Sequence, residues 1–154
     1  MNFESFEDIK VLMDNFDPAT LLPDLTTVVG KVELITRIAV ILGPAVVLGL
    51  GLMYLLIPPK EANHGFGYRF YFGMGSVEAW RFTQRLAGAV WSVLGLALTV
   101  VMVLITSGFG GDIMEVVSSG VTCLLWEAAL ITASCLVINT IVTVRFNRKG
   151  DRRE

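Results

Sequence analysis

Side chains that carry chemistry are scarce in this chain of 154 residues, which holds one histidine and two cysteines. Cys123 and Cys135 lie twelve residues apart in one apolar run, roughly 18 Å along a helix at 1.5 Å per residue. That separation excludes a disulfide between them, and no Cys or His spacing suggests a metal. Both read as small apolar filler. His64 has no partner ligand nearby in sequence and reads as a surface loop residue. A paired histidine, a nucleophile elbow and a phosphate-cradling glycine loop are also absent, so the sequence offers no catalytic residue, no metal site and no cofactor. Charge is short as well, at 17% of residues, against roughly 25% in ordinary soluble domains. Hydrophobic residues make up 54%, and the mean hydropathy is +0.67. A soluble protein of this size cannot bury so much apolar surface, whereas lipid can cover it.

Two long runs carry no charge at all: Ile38 to Ile57, and Leu86 to Ser107. Each reaches about 30 Å or more as a helix, the thickness of a bilayer's hydrocarbon core. A third run, Val116 to Val144, holds a single acid, Glu127. Backbone groups in lipid find no water, so each crossing must be helical. The expected fold is all-α, a three-helix transmembrane bundle with spans near 38–57, 86–107 and 116–144. The first run follows an acidic region and is too long for a cleavable signal. It stops at Pro58-Pro59, and Pro44 inside it predicts a kink, because proline lacks the donor and its ring crowds the preceding turn.

Basic residues are missing from the second loop, Gly108 to Glu115, which carries Asp112 and Glu115. The first loop has Lys60, Arg69, Arg81 and Arg85, and the last ten residues add Arg145, Arg148, Lys149, Arg152 and Arg153. The positive-inside rule therefore puts the first loop and a basic tail, 145–154, in the cytoplasm, with the N-terminus and second loop outside. Lys31 and Arg37 sit at the outer end of the first span, where Glu33 is placed at i,i+4 to offset Arg37. The tail is short, and juxtamembrane bases suit anionic lipid; nothing suggests a nucleic acid. The acidic segment 1–35 opens with Phe3, Phe6, Ile9, Met13 and Phe16 at helical spacing. It reads as an amphipathic helix that covers the outer end of the bundle or binds a partner.

Helices in lipid associate through small residues and polar contacts. The second span offers Gly88, Ser92, Gly95, Thr99 and Thr106 as a stripe. The first offers Ala39 with Gly43, and Ala45 with Gly49. The third offers Gly120, Cys123, Glu127 and Ser134. A charged carboxylate at Glu127 costs roughly 3 kcal/mol to insert. It needs a partner, a proton or water, and Thr99 or Ser92 are the candidate bonding groups. Its functional reading is a proton relay or a ligand site; its structural reading is an acid joining two helices. Asn139 reads as an interhelical hydrogen bonder.

The loop between the first two runs, Asn63 to Gly88, is denser than an ordinary connection. Its first half alternates glycines with aromatics, which suits tight turns at the headgroup interface. Ser76 then reads as a helix cap with Glu78 in the first turn, followed by Trp80, Arg81 and Arg85 on a helix that can run on into the second span. Arg69 is placed to stack on a ring or to hold a carboxylate or phosphate. Asn63, Gly67, Tyr68, Arg69, Met74, Ser76, Glu78, Trp80, Arg85 and Gly88 together resemble the signature of the SdpI family of immunity proteins, with spacing preserved throughout. Phe70 and Tyr71 stand where that pattern has Thr-Pro. The resemblance covers the loop and both flanking spans, making 36–144 a three-span membrane domain of that kind.

The resemblance implies a non-enzymatic protein of a bacterial cell membrane that protects the producing cell from a peptide toxin. It also implies signal reception, through holding a transcriptional repressor at the membrane when toxin is bound. The partners are then the lipid bilayer and a peptide toxin or membrane protein. Two other readings remain open from the residues. One is a small transporter or lipid-headgroup-handling enzyme using Arg69, Glu78, Arg85 and Glu127. The other is a structural subunit of a homo-oligomer.

Overall fold

A computed structural model describes residues 25–60 and 66–153. The amphipathic segment expected before residue 25, together with Asn63 and His64, lies outside them. Among the described residues three helices follow one another: α1 (Leu25–Leu56), α2 (Val77–Ser107) and α3 (Ile113–Arg145), with a short 3-10 turn at Tyr71–Met74. No strand occurs among the described residues, and all three helices are long and apolar enough to cross a membrane. The chain is an all-α, multi-pass membrane protein.

The helices outrun the uncharged segments that announced them. α1 has 32 residues, about 48 Å at 1.5 Å per residue, against a hydrocarbon core of about 30 Å. It continues toward the N-terminus through Arg37, Glu33 and Lys31, because charged residues beyond the core keep helical geometry while their heads reach water. α2 starts at its cap, Ser76, and runs unbroken through Arg85 into the apolar run. Pro44 lies within α1.

Glycine decides how the helices meet. α1 and α2 form the closest pair. Any Cβ at Gly95 would strike the Leu48 backbone, and any Cβ at Gly51 would strike the backbone of Trp91 and Ser92. At Gly88 it would come within 3.0 Å of Leu55. The second span's stripe is thus the seam as expected. The first span's is not: Ala39, Ala45 and Gly49 are exposed, and Gly51 takes the place assigned to them. Gly43 faces α3, its Cβ position 2.9 Å from Glu127 Oε2. On α3, Gly120, Cys123, Glu127 and Ser134 are all buried, one stripe turned inward. Trp91 Nε1 donates to Ser134 Oγ at 3.2 Å and ties α2 to α3. Leu42, Leu96 and Leu125 are among the many exposed apolar side chains, the outer surface offered to lipid.

At the second-loop end, Arg37 pairs with Glu33 and also donates from Nη2 to the carbonyl of Phe109 at 2.7 Å. At the other end the chain does not trail off after α3. It turns at Asn147, whose side-chain oxygen accepts from the backbone N–H groups of Lys149 and Asp151. Arg152 then comes back beside Phe146 in an isolated antiparallel bridge. The segment expected as a basic tail is a folded hairpin, and Phe146 anchors it, fully buried against Phe82 with ring centroids 5.5 Å apart.

Candidate functional site

The first loop enters the mouth of the bundle rather than lying across it. Non-helical backbone at such a place needs its polar groups satisfied by protein. Gln84, fully buried on α2, supplies this twice over. Its Oε1 accepts from the Tyr68 N–H at 2.8 Å, and its Nε2 donates to the Tyr68 carbonyl at 2.8 Å. Its two groups mimic a neighbouring peptide. Gly67, one residue earlier, holds φ at +124°, and a Cβ there would lie 2.7 Å from the Trp80 ring and 3.1 Å from Gln84 Oε1. The glycine is required by both backbone angle and space. Trp80 has no exposed surface and donates from Nε1 to the carbonyl of Pro59 at 2.9 Å. This clamps the chain leaving α1 against the start of α2.

Aromatic side chains carry the loop to all three helices. Phe66 stacks tilted on Tyr54 of α1 with centroids 5.4 Å apart. Tyr68 meets Trp91 of α2 edge-on at 5.3 Å. Its hydroxyl donates to Asn139 Oδ1 on α3 at 2.8 Å. Burial pushes the Tyr68 phenol well above its ordinary range, so it stays a neutral donor. Asn139 thus bonds the loop, where a helix-to-helix bond was expected. Arg69 is exposed, and its charge acts on Tyr54.

The second half of the loop is set by the cap. Ser76 Oγ accepts from the Ala79 N–H at 3.1 Å, as expected of an N-cap, and donates to the carbonyl of Gly150 at 2.7 Å. Met74 closes the 3-10 turn through its N–H to the Phe70 carbonyl at 3.1 Å. Glu78 pairs with Arg152 of the hairpin at 2.6 Å, both side chains more than half exposed. The cap therefore docks the C-terminal hairpin as well as starting α2.

Of the signature residues, Gly67, Tyr68, Met74, Ser76, Trp80 and Gly88 are committed to this internal architecture. Arg69, Glu78 and Arg85 are exposed. Glu127 does not join them. It lies eighteen residues before the end of α3, about 27 Å along the helix. Its Oε1 is buried without a hydrogen-bond partner. The expected bonds to Thr99 and Ser92 are not made: Thr99 donates to the Gly95 carbonyl in its own helix, and Ser92 Oγ is itself buried and unpartnered. The sequence reading missed Gln84. A signal was available, since residues 80, 84, 87 and 88 share one face and the other three are apolar or small.

Comparison with known proteins gives one match. A family model described as the SdpI/YfhL protein family fits residues 60–144, which hold the loop, α2 and nearly all of α3. No curated protein and no solved structure matches the chain.

Proposed function

Since this chain belongs to the SdpI/YfhL protein family, we propose that it is a non-enzymatic membrane protein of the toxin-immunity or signal-reception class, meeting a peptide or protein partner at the membrane. The observation that carries this reading is the attachment of one loop to all three helices, through Phe66, Tyr68 and Gln84. A peptide that binds from outside and favours one spacing of the helices shifts the loop with them, which is the coupling a receptor needs. The exposed Arg69, Glu78 and Arg85 then form the face offered to a cytoplasmic partner. In this reading the protein sits in a bacterial cell membrane with its N-terminus outside and its C-terminus inside.

The test is expression in a sensitive bacterium challenged with secreted peptides encoded beside the gene. Survival against one of them is expected. Death under every such peptide, with the protein present in the membrane, overturns the reading.

A second reading draws on Glu127, whose buried Oε1 lacks a hydrogen bond. A carboxyl so placed suits a proton-coupled transporter. Glu127→Gln separates the two. The immunity reading expects protection to persist in this variant, whereas transport expects proton-dependent uptake to vanish while membrane levels stay unchanged.

A further inference from the structure

Beside the capped start of α2 lies a groove of about 520 Å³, lined by Val77, Glu78, Arg81, Phe82, Arg85 and Arg152. Five of these recur at one- and three-residue steps along α2, so they share one helical face. The sixth is brought by the C-terminal hairpin, held by the Glu78–Arg152 pair. Three guanidinium groups thus face one space against one carboxylate, and Arg145 stacks 4.5 Å over the Phe82 ring at its edge. Arg81 and Arg85, at i,i+4, repel one another unless an anion lies between them.

The depth of the groove is also fixed. The uncharged run begins at Leu86, so Arg85 marks the edge of the hydrocarbon and the groove lies at headgroup level. Arginine presents a planar fork that suits phosphate oxygens, and the nearby α2 N-terminus adds partial positive charge. Val77 and Phe82 give the groove an apolar wall. We propose that this groove binds the phosphate of an anionic glycerophospholipid headgroup, with the glycerol end against Val77 and Phe82. The site holds its ligand and does no chemistry on it. It does not rest on the immunity reading, since it needs no toxin, but it shares Glu78 and Arg85 with the face proposed for a cytoplasmic partner.

The test uses the full chain, purified in mild detergent and stripped of lipid, with native mass spectrometry as the readout. Phosphatidylglycerol, phosphatidylcholine and inorganic phosphate are added separately. Phosphatidylglycerol adducts are expected at about tenfold lower concentration than phosphatidylcholine adducts. Arg81→Gln with Arg85→Gln should erase that preference. Arg148→Gln with Lys149→Gln removes the same charge from the exposed hairpin turn outside the groove and should leave it intact. Equal loss in both double variants means diffuse surface attraction and overturns the site. Displacement of the lipid by millimolar inorganic phosphate makes soluble phosphate the ligand and overturns the lipid assignment. If the first double variant does not fold, Arg152→Gln on the hairpin replaces it. A severalfold weaker preference is then expected, and an unchanged one refutes the groove.

Discussion

Tyr68 poses a backbone problem that one side chain solves. Its N–H and carbonyl both lie against α2, and both bond to Gln84. Replacing that residue by leucine keeps the volume but strands two peptide groups. Each stranded group costs about 1–3 kcal/mol, so Gln84→Leu should destabilise the fold by about 2–6 kcal/mol. The check is thermal unfolding in detergent followed by tryptophan fluorescence, where a lower midpoint is expected and an unchanged one refutes the clamp. Gly67→Ala should cost about 1–3 kcal/mol by the same assay, from its positive φ and the Trp80 ring 2.7 Å from the new Cβ. The two residues differ in how readable they were. Gly67 stood out because a glycine among aromatics announces a turn. Gln84 did not, because a polar residue just before a transmembrane run is ordinarily a surface residue. Its place on the face shared with Trp80, Ala87 and Gly88 hinted at burial, but the partner, a loop folding back sixteen positions away, has no local signature.

At the scale of helices, the span count and the second helix were legible, but the face of the first was not. α2 carries arginines and a capped start at one end, so its small stripe has a polar reference. The transmembrane part of α1 is apolar all round, and its two small-residue pairs point to different sides. Only contact chooses between them, and it chooses Gly51, outside both pairs. The choice has a measurable consequence. Gly95→Leu should disrupt packing, because its Cβ would meet the Leu48 backbone, which cannot move aside as a side chain can. Overpacking typically costs about 1–3 kcal/mol. Gly49→Leu should be tolerated within about 0.5 kcal/mol, since nothing lies within 4 Å of its Cβ position. Thermal midpoints of the two variants in the same detergent decide the matter, and equal losses would refute the seam. A second copy of the chain meeting α1 would find the Ala45 and Gly49 face open, whereas Gly43 and Gly95 are already used within one bundle.

For the molecule as a whole, charge and covalent order make a single argument about orientation. The first loop and the hairpin after α3 fall on the same side of three crossings, and nine of the twelve lysines and arginines lie there. The second loop has none. Arg37, the basic residue most at odds with this pattern, is held by Glu33 and by the Phe109 carbonyl, so its charge is answered locally. The asymmetry was readable from the sequence, whereas the folding of the basic end into a hairpin was not. That hairpin depends on Ser76 and Glu78, some seventy residues earlier in the chain. Orientation can be measured with an impermeant maleimide on intact cells, in a background carrying Cys123→Ser and Cys135→Ser. Gly110→Cys sits where nothing lies within 4 Å of its Cβ position and should react from outside. Lys149→Cys, at the exposed turn of the hairpin, should react only after the cells are permeabilised. Two lysines or arginines near the surface are worth about 2 kcal/mol toward the anionic leaflet, and this end has many more. A mixed population is therefore not expected, and labelling in the reverse order would invert the molecule and move the lipid groove to the outer leaflet.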